Sequence, residues 1–329
     1  RIIRKAYFEH PDYIPLLQRA YKLWSELEQE SGKSLLNLCG LMVAGSPKGE
    51  VIRGVHQASR LDDVAIEKIS IEEATRRFPG FQIPKGFEVI YEPEAGFLYV
   101  EECIRTQFEL AISQGAQVCL NEKSNEVVIN DQSVEVKTDT QHYIASGMIV
   151  TAGAWSSSCL QELNLPLEVV RKLLFWNPVK QPVYNLDQGE GGFFFDMPYG
   201  EFYGFPSMDG KTVKLAEHTG GDLVDDPANL NRKLMEGDAT SISRFINEVM
   251  PGLGPIPERH ATCMYTRTPD RHFIVDQHTR NSAVVYGAGF SGHGFKFSSV
   301  IGEILADLVT QGTTGHSIDF LSASRFASD

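Results

Sequence analysis

The 329-residue chain carries 30 Lys and Arg against 43 Asp and Glu, a formal net charge of −13, and is 42% hydrophobic. A chain of that length and apolar content buries one large core or two joined ones, which excludes a disordered polymer. Its acidic field repels polyanions and so excludes nonspecific binding to nucleic acid or anionic membranes, while no apolar run approaches the ~20 residues that cross a bilayer.

The opening RIIRKAYFEHPDY holds no signal-peptide apolar core. From Asp12, residues Leu16, Ala20, Leu23, Trp24 and Leu27 recur at helical spacing and Ser31-Gly32 can end the run, which predicts an amphipathic helix. Between 35 and 90 the signals are mixed: Leu38 to Val43 reads as a strand, and SIEEATRRFPG as a short helix stopped at Pro79-Gly80. Glu101-Glu102 stand where a helix N-terminus favours acidic side chains, Ile104, Phe108, Ala111 and Ile112 then share one face, and Gly115 can stop that helix. The β-rich runs AQVCL, EVVIN, SVEVKT, HYIAS and MIVTAG follow. The last passes into Thr151-Ala152-Gly153-Ala154, small residues that let a backbone approach a ligand or another element.

Residues 157 to 262 differ in style, with Pro166, Pro178, Pro182, Pro198, Pro206, Pro251, Pro255 and Pro257 among aromatic strands such as GGFFFDMP and EFYGFP. This predicts a second domain built on an antiparallel sheet. Afterwards FIVD and AVVYGAG return to buried-strand style, and Val300, Ile301, Ile304, Leu305 and Leu308 make a closing helix, so the first domain resumes at the C-terminus. No internal repeat or low-complexity linker separates the parts. Cys39, Cys103, Cys119, Cys159 and Cys263 are scattered, odd in number and without a C-x-x-C pair, which suits a reducing compartment and gives no metal-ligand spacing.

The stretch VVYGAGFSGHGFK contains G-x-G-x-x-G at Gly287, Gly289 and Gly292, after a strand and before a helix. A dinucleotide fingerprint also needs a second strand ending in an acidic residue ~20 positions on. Here Glu303 and Asp307 fall inside the predicted helix and no strand follows, so the NAD reading fails. The glycines, with Gly294, still let main-chain N–H groups reach a bound group next to a helix N-terminus. A turn packed for steric reasons alone is the competing account. G-F-S-G is not a serine-nucleophile elbow, and the pairs Glu72-Glu73 and Asp225-Asp226 have turn or helix-face explanations.

VVYGAGFSGHGFKFSSVIGEIL, preceded by Cys263-Met264-Tyr265-Thr266, Pro269-Asp270 and His272-Phe273-Ile274, resembles the C-terminal part of the monomeric sarcosine oxidase family of D-amino-acid-oxidase-like flavoproteins. RIIRKAY, VTAGAW, FYGFPS and VKLAEHT extend the resemblance over essentially the whole chain. It implies an α/β (α+β overall) fold in which a discontinuous, Rossmann-like FAD-binding domain (1–34, 96–156 and 263–329) interleaves with an antiparallel-sheet substrate domain (35–95 and 157–262). In the family a strand, a G-x-G-x-x-G turn and a helix precede the segment matching Arg1-Ile2-Ile3-Arg4. The sequence starts at that segment, so a truncated record is expected, with an inactive fragment or binding protein as the alternative of another class.

The resemblance also assigns roles. Cys263 is the thiol joined to the flavin, with FAD held besides by Arg1, Gly287, Gly289, Phe290, Gly292, His293, Gly294, Phe295 and Lys296. Arg4 and Lys296 receive the substrate carboxylate, and Arg can do so with two parallel hydrogen bonds. Lys214 assists oxygen, because a fixed cation stabilises the superoxide that O2 reduction makes first. His218 orients substrate, while Tyr203 and Tyr265 line the amine pocket. On their residues alone, Lys214 could be a strand's outward face, Lys296 a solvated turn residue, His293 a turn residue without a chemical role, and the tyrosines simply core. The implied activity is FAD-dependent oxidation of a secondary N-alkyl amino acid, most simply sarcosine, giving glycine, formaldehyde and hydrogen peroxide. L-pipecolate, N-methyltryptophan or a glycated amino acid are the alternative substrates. The expected partners are that amino acid and O2, with no nucleic acid and no membrane, for a monomer of the cytoplasm or the peroxisome.

Overall fold

The computed structural model describes residues 1–61 and 64–327. Its largest element is a nine-stranded sheet in which Glu168–Pro178 pairs with Asp222–Leu223, Thr212–Glu217 and Arg259–Arg267, and the path then runs through Gly200–Gly204, Gly192–Met197, Leu41–Gly45 and Glu88–Glu92 to Glu67–Ile69. Segments 35–95 and 157–262 therefore share one sheet. It is antiparallel except where Gly192–Met197 runs parallel to Leu41–Gly45.

Alternation along Gly192–Met197 decides what each face carries. Phe193 and Phe195 point with Phe202, Val213 and Leu215 toward the helix Thr240–Val249, whose Phe245 stacks on Phe202 at 4.6 Å. Phe194 turns to the other face, beside Phe8 at 5.3 Å and His218 at 6.5 Å. One strand thus closes a core and begins a site.

A second layer is a three-stranded sheet, Met148–Val150, Val284–Ala288 and Ile274–Gln277, whose first two strands are parallel. The helices Tyr13–Ser31 and Ser298–Gln311 pack on each other beside it, burying Leu17, Ala20 and Trp24 against Val300, Ile304 and Leu308. Gly32, at φ 67°, ends the first helix by donating its N–H to Glu28 O. The two layers give the mixed α/β fold the resemblance implied. The meander Ser124–Ile129, Val134–Thr138 and His142–Ala145 stands apart as its own sheet. No helix among the described residues is long and apolar enough to cross a membrane.

Several local expectations change. AQVCL is irregular rather than a strand, and Leu38 to Val43 resolves into Leu36–Asn37 and Leu41–Gly45 with Leu38 exposed between them. The helix Val100–Ser113 forms, but it buries Cys103 and Thr106 and leaves Ile104, Phe108 and Ile112 outside. Its docking is set by Tyr99 N–H on Leu35 O and by the Cys103 thiol on the same carbonyl, which orient the opposite face inward. Two unforeseen helices are Thr240–Val249 and Glu50–Leu61. Within the latter Gly54 is required because the Phe8 backbone passes where a Cβ would stand, 2.5 Å from Phe8 O. The strand Arg259–Arg267 continues through the domain boundary expected at 263, paired from Arg259↔Trp176 to Arg267↔Glu168.

Candidate active site

The first residues enter the fold as a strand, Ile2–Ile3 pairing with Gly96–Phe97, and this delivers Arg4 to the interior at 4% exposure. Its guanidinium donates to Ala6 O at 2.7 Å and to both Glu9 carboxylate oxygens at 2.9 and 2.7 Å. Buried Glu92 accepts from Lys5 N at 2.5 Å and Ala6 N at 3.2 Å and so pins the turn that carries Arg4. Burial pushes that carboxyl up to about 7, although the two amides and Arg4 favour its charged form.

Lys296 arrives from the turn before the closing helix. It is 5% exposed, its Nζ donates to His293 O at 3.0 Å, and Trp24 Nε1 holds its carbonyl at 3.0 Å. Burial, reinforced by the like charge of Arg4, pulls the ammonium down to about 7. Arg4 and Lys296 line one small cavity of about 60 Å³ with Glu9, Phe194, Tyr203 and His218. Two cations converging on one small cavity make an anion site, with Glu9 the carboxylate that holds Arg4 there.

The opposite wall is the sheet. The His218 ring lies 6.3 Å from Tyr203 and 5.6 Å from Tyr265. Burial above all pulls His218 down to about 3, so it is a neutral hydrogen-bonding imidazole. Burial holds both tyrosines above the usual phenol range, so both keep their protons at neutral pH. Lys214 lines neither this cavity nor its neighbour. Its Nζ sits 5.1 Å from the Trp176 ring, with no carboxylate partner among the described residues, and burial together with Arg1 pulls it down.

A second cavity of about 840 Å³ abuts the first, the two sharing Arg1, Gly292 and Phe295. Cys263, Gly289, Phe290 and Gly294 line it as expected, whereas Tyr265, expected in the amine pocket, lines this larger cavity and not the small one. So do Ser298, Gly302 and the run Thr151, Gly153, Ala154 and Trp155, which were not singled out as site residues. The small residues at 151–154 were the available signal. Cys263 sits in register with Lys172, and burial pushes its thiol up against the opposing charges of Arg1, Lys172 and Lys214.

Three expected members of this cavity stand elsewhere. Gly287 lies inside the strand Val284–Ala288, where a Cβ would press on Phe290 at 3.1 Å. His293 is buried on the small cavity, with Nε2 3.0 Å from Arg271 O and Nδ1 bonded to the Tyr7 hydroxyl. Lys296 also faces the small cavity only. The glycine at 292 has a steric cause: at φ 85°, a Cβ would lie 2.3 Å from the Tyr265 ring. Glu9, Tyr7 and Glu92 carried no sequence signal.

The larger cavity fits a planar, polar cofactor. Ser298 Oγ is buried on it with no hydrogen-bond partner, and Cβ atoms built at Gly153 and Gly302 meet nothing within 4 Å. The closing helix begins there at Ser298, which brings partial positive charge to the cavity wall.

Known proteins resemble this chain over nearly its whole length. The model of the DAO family, FAD dependent oxidoreductase, matches residues 1–308. The chain is 39% identical over 331 residues to the monomeric sarcosine oxidase of Bacillus sp. (strain B-0618), covering 99% of this chain and 84% of the relative. It is 29% identical over 330 residues to N-methyl-L-tryptophan oxidase of Yersinia pestis (strain Pestoides F), covering 99% and 87%. Among solved structures, the open form of NikD, an unusual amino acid oxidase essential for nikkomycin biosynthesis, superposes with a TM-score of 0.84 at 25% identity, covering 98% of this chain and 85% of that one.

Proposed function

The chain belongs to the DAO family of FAD-dependent oxidoreductases, as an amine oxidase of the sarcosine oxidase type, and from the site it builds we propose that it oxidises a small secondary N-alkyl amino acid, sarcosine foremost. The observation that carries the reading is the junction of the two cavities: a cation pair on one side, and on the other a glycine-lined chamber with Cys263 in its wall. Cys263, Arg1, Gly289, Phe290, Gly292, Gly294, Phe295, Ser298 and the run Thr151–Trp155 would hold FAD, with Cys263 as the covalent tether. When bound, FAD would supply a two-electron acceptor for the hydride of the substrate's N-alkyl C–H bond; the imine left behind would be hydrolysed by water, and O2 with two protons would take the electrons as hydrogen peroxide.

In this proposal Arg4 and Lys296 hold the substrate carboxylate. Glu9 gives up or shares its grip on Arg4 as the carboxylate enters. The two cations and the poorly solvated cavity favour the unprotonated substrate amine, so no protein base is needed. Neutral His218 donates or accepts a hydrogen bond without adding charge, and Tyr203 in the small cavity, with Tyr265 reaching toward it from the wall of the larger one 5.6 Å from the His218 ring, would flank the N-alkyl group. Lys214 supplies positive charge where O2 reduction builds negative charge. The small size of this cavity favours a compact substrate such as sarcosine over one carrying an indole or a sugar.

The test uses the protein purified from its encoded gene. Peroxide should be released with sarcosine, and the yellow colour should stay with the acid precipitate. Cys263→Ala should keep the fold and lose flavin into the supernatant. Turnover of pipecolate, N-methyltryptophan or a glycated amino acid without turnover of sarcosine would overturn the substrate assignment, and colourless wild-type precipitate would overturn the tether.

A further inference from the structure

Tyr7 has no part in the reaction as described, yet its ring lies beneath both cations of the carboxylate site. The Arg4 guanidinium carbon is 4.6 Å from the ring centroid and Lys296 Nζ is 5.1 Å from it. The side chain is 1% exposed, packed edge-on against Tyr13 at 5.1 Å and Phe297 at 5.3 Å. Its hydroxyl is fixed as well. The Arg271 carbonyl can only accept, so His293 Nε2 carries the hydrogen at 3.0 Å and Nδ1 accepts from the Tyr7 O–H.

Arg4 has a carboxylate partner in Glu9 at 2.7 Å, but Lys296 has none within salt-bridge distance among the described residues. The charged and titratable groups around the Lys296 ammonium are Arg4 and Glu9 from the N-terminal segment, Glu92 from the strand Glu88–Glu92, His218 from the sheet and His293 from its own turn. Both histidines are neutral, while Glu9, held by Arg4, and Glu92, held by two backbone amides, stand beyond salt-bridge distance of Lys296, so Arg4 repels it with only distant compensation. What lies close is the His293 carbonyl and two aromatic faces, Tyr7 and, at 5.6 Å, Phe297; Arg4 has Phe8 at 4.1 Å besides, and Tyr7 is the ring that both cations share. An aromatic face attracts a desolvated cation strongly, and it does so without the negative charge that would compete for the cations when a carboxylate arrives.

We propose that Tyr7 is a positioning residue for substrate binding: its ring holds Arg4 and Lys296 together as a charged pair aimed at the small cavity before the carboxylate enters. This rests on the assignment of Arg4 and Lys296 to the substrate carboxylate.

The test changes the ring's electrostatics and not its shape. In the holoenzyme, Tyr7→Phe is compared with the same position carrying phenylalanine with one, two and three ring fluorines, which progressively empty the π face. Binding of acetate, read by the flavin absorbance, and KM and kcat for sarcosine are followed from pH 6 to 9. Tyr7→Phe should stay within about threefold of wild type. The fluorine series should then weaken acetate binding stepwise to roughly tenfold, raise KM in parallel, leave kcat nearly constant, and move the pH at which affinity falls downward by about one unit. Affinity that stays flat across the series overturns the proposal, and so does a Tyr7→Phe variant that already shows the whole loss, since the hydroxyl bond to His293 would then be what matters. Wild-type protein that does not bind acetate overturns the carboxylate assignment itself and this inference with it.

Discussion

Replacing Lys296 with Met should raise stability and lower substrate affinity together. The side chain is 5% exposed, and its ammonium is pulled from 10.5 to about 7. At about 1.4 kcal/mol per pH unit, carrying that charge below neutral pH costs the fold roughly 5 kcal/mol relative to the unfolded chain. Because the folded value is the lower one, the unfolded chain binds more protons between pH 7 and 10.5. The penalty is therefore complete below pH 7 and fades as the pH rises toward 10.5. Met removes the charge and forfeits the bond to His293 O, worth about 1 kcal/mol, which leaves a net gain of roughly 4 kcal/mol at pH 6.5. For a chain of this length, unfolding entropy near 2.1 cal/mol/K per residue turns that into a rise in Tm of about 6 °C. Over the same substitution a bound carboxylate loses a charge-assisted hydrogen bond worth about 1.5–3 kcal/mol, so kcat/KM falls roughly 10- to 100-fold, mostly through KM. Calorimetry of ligand-free protein at pH 6.5 and 9.5 should show the gain shrinking at the higher pH, and steady-state kinetics reads the second effect. A lower Tm at pH 6.5, or an unchanged KM, would refute the reasoning.

Two further substitutions separate the cavities. Gly302→Leu places a side chain where a Cβ has nothing within 4 Å, and removing a helical glycine contributes up to about 1 kcal/mol; the apoprotein should melt slightly higher while flavin content drops far below one per chain, and full flavin content would sink the cofactor assignment. Lys214→Met should slow reoxidation of the reduced enzyme by O2 at least about tenfold, while substrate-driven reduction changes little; stopped-flow traces in which both steps slow equally would remove its assigned role.

Where a short stretch settles its own environment, the sequence is a sufficient guide. The helix Tyr13–Ser31 buries the residues its periodicity marks, and the three phenylalanines of GGFFFDMP alternate between faces as their pleat requires. Legibility fails where the deciding partner is remote. Helix Val100–Ser113 has an apolar stripe in sequence, yet contacts with Leu35 turn Cys103 and Thr106 inward. Gly292 reads as a ligand contact, but Tyr265 supplies its steric reason. Nothing near Arg4 announces Lys296, and only the family resemblance brought the two together. Tyr7 is one aromatic among many until the fold sets both cations over its ring.

The pairing of Met148–Val150 with Val284–Ala288 bears on how the protein is made. Synthesis proceeds at ~5–20 residues per second, so the first strand emerges several seconds before its partner exists. Local structure such as the meander Ser124–Ala145 can form at once, but the hydroxyl of Tyr7 waits for a histidine 286 positions later. Contacts of such long sequence separation form late and expose apolar surface meanwhile. Neither cavity is complete until the segment 284–305 has been made, so cofactor capture follows translation of that segment. A premature stop before the closing helix abolishes the site entirely, however well the nine-stranded sheet has formed.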